Sequence, residues 1–355
     1  MADSATMRAV RLYEYGGSGV LKVETHPIPS PSAIEVLIRV HAATITWWDL
    51  EYRKGHLKGI PGRDQVFSLP FQLGREAAGE VVAVGSEVKS FSVGDRVVQM
   101  TAPACGECEF CVKGFDNLCP TIEIPGHKAW GSYAQYIVRP ATTVLKAPSD
   151  LPYDKLAPCL WSYSSVLHMV DARAKVRPGD SVLITGASSG MGTAGLQLAK
   201  LAGASPVIGL TGSLSKKQAL LDAGADIVLN YRDEDIQQQI RKHTRGLGPD
   251  VVLDLVGGPM LTLGMHVAKL GARVVMGASM GGSKIELDIV LAFAKHLDLL
   301  GSRGATREEQ ARVMRLLAEG KINPIVSEKF SLEDVQIAHN KLEEQNHIGK
   351  ILLLP

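Results

Sequence analysis

Apolar residues follow two different rhythms along the chain. Up to about residue 150 the runs EVLIRVHAA, GEVVAVG, DRVVQM and GSYAQYIV alternate or stay apolar over strand lengths, and Gly and Pro interrupt them. This pattern predicts a mostly β domain. From residue 151 the period turns helical through LPYDKLAPCLWSYSSVLHMVDAR and then becomes a regular alternation. The strand-like runs SVLITG, PVIGLTG, DIVLN, DVVLDLVG, RVVMGA and LDLLGS are separated by five segments of helical period. Six strands with crossover helices predict an α/β, doubly wound parallel sheet. Beyond it, REEQARVMRLLAEGKI and SLEDVQIAHNKLEE read as two helices, and GKILLLP as a final strand able to return to the first domain.

The length of 355 residues exceeds the roughly 250 to 300 at which one core stops growing, so two domains are expected. With 21% charged residues and a net charge of +1, no strongly basic face is implied, which argues against a nucleic-acid partner. The first residues, MADSATMRAVRLYEYGG, lack the apolar stretch of a secretory signal, and no apolar run reaches the ~18 residues needed to cross a bilayer. The expectation is a soluble, cytoplasmic protein without membrane contact, acting on a small molecule.

Candidate chemistry lies in two places. After SVLIT the loop GASSGMGTAG sets Gly190, Gly192 and Gly195 in a G-x-G-x-x-G pattern at a strand-to-helix turn, with Met191 between the first two. Such a turn brings free backbone N–H groups and a helix dipole to a pyrophosphate. An acidic residue at the end of the next strand would select NAD, but Gly190 to Leu221 contains none. Thr211, Gly212, Ser213, Lys216 and Lys217 stand there instead, which favours the 2′-phosphate of NADPH. Gly277 and Ser302, at the ends of later strands, are further cofactor candidates.

The second place is PACGECEFCVKGFDNLCP, where Cys105, Cys108, Cys111 and Cys119 follow C-x2-C-x2-C-x7-C spacing. Four thiolates close a tetrahedral shell around Zn²⁺ and leave no open position for substrate. An iron–sulfur cluster is the alternative, although the x7 gap departs from the x3 of ferredoxin runs.

From MRAVRLYEYGGSGVLKVETHPIPSP through GEVVAVGSEVKSFSVGDRV, the cysteine lobe, VRPGDSVLITGASSGMG, DAGADIVLNY and VLDLVGG to HIGKILLLP, the sequence resembles the medium-chain dehydrogenase/reductase superfamily, end to end and in order. The resemblance implies a GroES-like catalytic domain from residues 1–159 and 302–355, with a structural zinc lobe at about 100–125, and a Rossmann NADPH-binding domain from 160–301. It also implies an active-site cleft between them and a homodimer formed through the last Rossmann strand. Tyr231, in VLNY, falls where relatives contact the 2′-phosphate. The short-chain dehydrogenases share a TGxxxGxG loop, but their Tyr-x-x-x-Lys pair is missing, because Tyr231 is the last tyrosine and RDED follows it.

The superfamily's catalytic zinc needs Cys, His and Cys. The first position here is Thr46, the second Arg75, and only Cys159 matches. A guanidinium cannot ligate a cation. Trp48 stands at the proton-relay position and has no hydroxyl. What remains is hydride transfer to a conjugated double bond or quinone, with Tyr52, Tyr163, Glu51 and Arg75 as candidates for orienting or protonating the acceptor. Arg75 is expected to pair with Glu76 or to face the cleft. The alternatives are a zinc-independent carbonyl or iminium reductase, a zinc-type alcohol dehydrogenase, or a non-catalytic nucleotide-binding protein.

Overall fold

The run EVLIRVHAATI, in which apolar residues outnumber polar ones, forms the long strand β3 (Glu35–Ile45), most of whose side chains are buried. The computed structural model describes residues 5–56 and 68–355. Before β3 come β1 (Thr6–Leu12) and β2 (Leu21–Pro27), and after it β4 (Ala77–Val84), β5 (Arg96–Gln99), β6 (Tyr136–Pro140) and β7 (Val144–Lys146). The alternating region supplies β8 (Val182–Ile184), β9 (Val207–Thr211), β10 (Ile227–Asn230), β11 (Val251–Asp254), β12 (Arg273–Met276) and β13 (Asp298–Gly301). Near the C-terminus lie β14 (Val326–Ser331) and β15 (Lys350–Leu354).

The chain divides into two units, Met1–Trp161 with Thr306–Ala318 and Val326–Pro355, and Ser162–Ala305 with Glu319–Ile325. In the first unit, β15 pairs antiparallel with β3 inside a seven-stranded sheet, so both ends of the chain build one core. Leu50, Leu73, Tyr133, Ile351 and Leu353 lie in that core. The helix Trp47–Lys54 follows β3 directly, and Thr46 caps it.

The second unit is a six-stranded parallel sheet in the order β10-β9-β8-β11-β12-β13, the doubly wound arrangement expected from the alternation. Its central strands are buried on both faces, which is why they read as unbroken apolar runs. The helix Gly190–Leu201 starts one turn after β8, and its N-cap Ser189 accepts a hydrogen bond from Gly192 N at 2.9 Å. A Cβ on Gly192 would stand 2.2 Å from Gly186 O, so only glycine lets helix and turn approach this closely.

Three expectations need correction. Residues 319–325 belong to the second unit, because Gln197 on its first helix both donates to Asn323 O (3.0 Å) and accepts from Asn323 N (2.7 Å). The boundaries accordingly fall at 161/162 and 305/306. The C-terminal part contains the additional strand β14, whose sequence VSEKFS carries little apolar signal and pairs parallel with β15. Finally, the stretch entering the second unit includes two π-helical turns, Leu160–Ser164 and His168–Arg173. Among the described residues no helix is long and apolar enough to cross a membrane.

Candidate functional site

The four cysteines meet. Their Sγ atoms all lie within 4.8 Å of one another, with contacts of 3.4 Å (Cys108 to Cys111), 3.6 Å (Cys119 to Cys105) and 3.8 Å (Cys105 to Cys111). Zn–S bonds of about 2.3 Å in a tetrahedron place sulfurs about 3.8 Å apart, so the cage fits Zn²⁺. Backbone N–H groups of Glu107 and Cys108 hold the Cys105 thiol down to about 6. Lost hydration and neighbouring thiols push Cys111 up to about 12. A cation would relieve that crowding of thiols. The lobe has a small core of its own, Ala102, Cys119 and Ile122.

Away from the lobe, Thr46 and Arg75 hold positions that a metal site would need. Thr46 Oγ1 donates to Asp49 Oδ2 at 2.6 Å, and Thr46 N donates to the same oxygen at 2.8 Å. Asp49 Oδ1 accepts from Gly74 N at 3.0 Å. This ties the helix start to the residue before Arg75. Burial raises Asp49 from the ordinary carboxylate value against the pull of these hydrogen bonds. Gly74 has φ +109°, and a Cβ there would meet Tyr133 and Ser132 at 2.6–2.7 Å.

Arg75, only 2% exposed, points into a box of aromatic rings. Its Cζ lies 4.2 Å from the Trp161 ring centroid, 5.5 Å from Trp48 and 5.6 Å from Tyr52, and Nη2 donates to the Tyr52 hydroxyl at 3.0 Å. Each such cation–π contact is worth about 0.5–2 kcal/mol, more when desolvated. Of the two alternatives expected for Arg75, pairing with Glu76 is not found among the described residues. Glu76 Oε2 instead accepts from Thr44 Oγ1 (2.6 Å) and from Lys350 Nζ (2.5 Å), while its Oε1 accepts from Trp161 N (2.7 Å). Both carboxylate oxygens are therefore engaged before Arg75 could reach them. Cys159, the surviving family position, is fully buried against Met314 (Sγ to Sδ 3.5 Å), and burial pushes its thiol far up. Among the described residues only the four-cysteine lobe groups three or more metal-ligating side chains.

Of the four acid–base candidates, Arg75 and Tyr52 come together. Glu51 does not join them. One residue earlier on the same helix, it turns to His56 instead (Oε2 to Nδ1 3.2 Å). Tyr163 is buried in the second unit, on a π-helical turn. Trp161, the nearest ring to Arg75, was missed in the sequence, where its only signal was proximity to Cys159.

In the second unit all the cofactor candidates gather at the carboxyl ends of the parallel strands, where nucleotides bind such sheets. Gly190, Met191 and Gly192 begin the helix after β8, Ser213 and Lys216 follow β9, and Tyr231 follows β10. Gly277 follows β12 and Ser302 follows β13, with Gly277 N bonded to Asp254 O and Ser302 N to Met276 O, each at 3.0 Å. A Cβ on Gly212 would lie 2.9 Å from the Tyr231 hydroxyl, so the phenol packs on that turn. Sequence reasoning overlooked Arg232, although it directly follows Tyr231. Its Nη1 donates to Gly212 O at 2.7 Å, and Cζ lies 5.4 Å from the Tyr231 ring centroid. Ser213 and Ser215 hydroxyls are 2.8 Å apart, and burial lowers the Lys216 ammonium. Two cations, hydroxyls and a phenol thus surround the end of β9, a donor set suited to a phosphate.

Residues 32–149 match the alcohol dehydrogenase GroES-like domain family, and residues 190–319 match the zinc-binding dehydrogenase family. The chain is 31% identical to an NAD-dependent alcohol dehydrogenase of Sulfurisphaera tokodaii, over 98% of this chain and 100% of the relative. It is 28% identical to an acryloyl-coenzyme A reductase of the same organism, over 94% of this chain and 96% of the relative. The crystal structure of AibC superposes with a TM-score of 0.91 at 36% identity, covering 99% of this chain and 97% of that one.

Replacing Cys119, the buried member of the cage, by Ser is expected to lower bound zinc from about one ion per chain to near zero and to reduce thermal stability. Metal analysis beside a melting curve checks this, and full zinc retention would refute the four-thiolate cage.

Proposed function

The chain belongs to the medium-chain dehydrogenase/reductase superfamily, and from that premise we propose that it is an NADPH-dependent reductase of conjugated double bonds or quinones in which zinc is structural. The observation that carries this reading is the boxed Arg75. A permanent cation, stacked at 4.2 Å on Trp161, stands where a zinc-ligating imidazole would have to be. Thr46, spent on Asp49, supplies no thiolate at the first ligand position. Four cysteine ligands in the lobe suit a closed zinc shell.

When bound, the dihydronicotinamide supplies a hydride. The chain's own contribution is electrostatic and protic. Arg75 holds a fixed positive charge that favours negative charge developing on an acceptor oxygen, and Tyr52, held by Arg75 Nη2, carries the transferable proton. Similarity to an acryloyl-coenzyme A reductase supports a conjugated acceptor. Ser213, Lys216, Tyr231 and Arg232 around the end of β9 support NADPH over NADH, because a 2′-phosphate meets cations there and no carboxylate.

The experiment is steady-state cofactor oxidation with NADPH and NADH against enones, acryloyl thioesters, quinones, aldehydes and imines. Turnover is expected with the conjugated acceptors and NADPH. Lys216→Ala and Arg232→Ala are each expected to raise KM for NADPH roughly tenfold, the scale of one charge-assisted hydrogen bond, with little effect on NADH. A preference for aldehydes or for NADH would overturn the reading.

We further propose a homodimer. Among the described residues strand β13 pairs only with β12 and leaves one edge of the sheet open, and the helix Ile289–Ala294 before it exposes Ile289 (68%), Val290 (62%) and Phe293 (67%). An open strand edge beside an apolar helix suits pairing with a second copy. Phe293→Asp is expected to halve the mass measured by light scattering, and a wild-type protein that is already monomeric contradicts the pairing.

A further inference from the structure

A pocket of ≈ 390 Å³ lies wholly within the first unit, apart from the residues discussed above. Two guanidinium groups line it, Arg11 from β1 and Arg139 from β6, each only 7% exposed. Among the described residues neither has a carboxylate in direct contact, although Glu24 attracts Arg11 and Glu35 attracts Arg139 from further away. Burial pushes both down to about 10. A desolvated charge without a counterion in direct contact is costly, so each needs further stabilisation.

Arg139 is stabilised by the protein. Its Nε donates to Gln99 Oε1 (2.7 Å), Nη1 to Val138 O (2.8 Å), and Nη2 to Trp130 O (2.7 Å) and Gly131 O (3.2 Å). Arg11 is different. Of its five N–H donors, only Nη1 finds a partner among the described residues, Gln72 Oε1, and its Cζ lies 4.1 Å from the Trp130 ring centroid. The nearby Glu24 attracts Arg11 through space, but its Oε2 accepts from the Tyr13 hydroxyl (2.8 Å) and meets His26 Nε2 (3.2 Å) and makes no described hydrogen bond to the guanidinium. Met7, Pro27 and Ile137 give the same pocket an apolar wall.

We propose that this pocket binds a small organic carboxylate, with its carboxylate on the unspent donors of Arg11 and its apolar body between Trp130 and the apolar wall. The planar guanidinium matches a carboxylate edge, and the indole face suits a flat hydrocarbon. One unspent set of donors beside apolar side chains suits a monoanion better than the dianionic phosphate, which needs more donors.

The test uses 4-fluorobenzoate as probe, followed by its fluorine NMR line width against the full-length protein, with uncharged 4-fluorobenzamide as the control. Saturable broadening by the benzoate is expected, with little by the amide. Arg11→Met should weaken benzoate binding at least tenfold and leave NADPH oxidation unchanged. If that variant does not fold, Trp130→Ala, at a side chain 47% exposed, carries the same comparison. Absence of saturable broadening, equal binding of the amide, or wild-type affinity in the variant that folds would each overturn the proposal.

Discussion

The buried carboxylate of Glu76 organises the first unit. It is 1% exposed and joins three distant pieces of chain: Thr44 on β3, Lys350 on β15 and the backbone of Trp161. Removing one partner of such a buried pair costs about 3–5 kcal/mol, because an uncompensated charge is left behind. Lys350, Thr44 and Trp161 N together engage both oxygens of Glu76, the residue next to Arg75 in sequence. The hydrogen bond to Trp161 N, in turn, anchors the backbone of the ring on which Arg75 stacks. One carboxylate thus ties three pieces of chain together and anchors one wall of the aromatic box around Arg75.

The two units solve different electrostatic problems with the same residue type. Arg75 is a cation stabilised by ring faces and a phenol, with the result that the position cannot take a metal ion. Arg232, exposed beside Tyr231, keeps its charge in water and spends one donor on Gly212 O. Arg11 and Arg139, also buried, likewise have no carboxylate in direct contact among the described residues, whereas buried Arg53 pairs with Glu343.

Most of the fold was legible in the sequence because the central strands β8, β9 and β11 are buried along their whole length and read as short apolar runs between turn residues. The cysteine lobe was legible for a different reason, since all four ligands fall within one short stretch. Strand β14 escaped notice because its exposed edge carries Ser, Glu and Lys. The two π-helical turns have no periodic signature of their own. Thr46 and Arg75 marked the loss of the metal ligands, but the box around Arg75 depends on Trp161, which is remote in sequence and brought close by Glu76. Glu51 and Tyr52 were indistinguishable by position; helix rotation separates them, sending one to His56 and the other to Arg75.

The central claim is that a fixed guanidinium, and not a metal, occupies the chemical position in the first unit. Counting zinc per chain in enzyme of known turnover, while removing metal in steps, tests it most directly. The account predicts about one zinc per chain, with turnover lost only when the cysteine lobe empties and the protein unfolds. A second, more loosely held zinc whose removal stops turnover while the lobe stays loaded would contradict it.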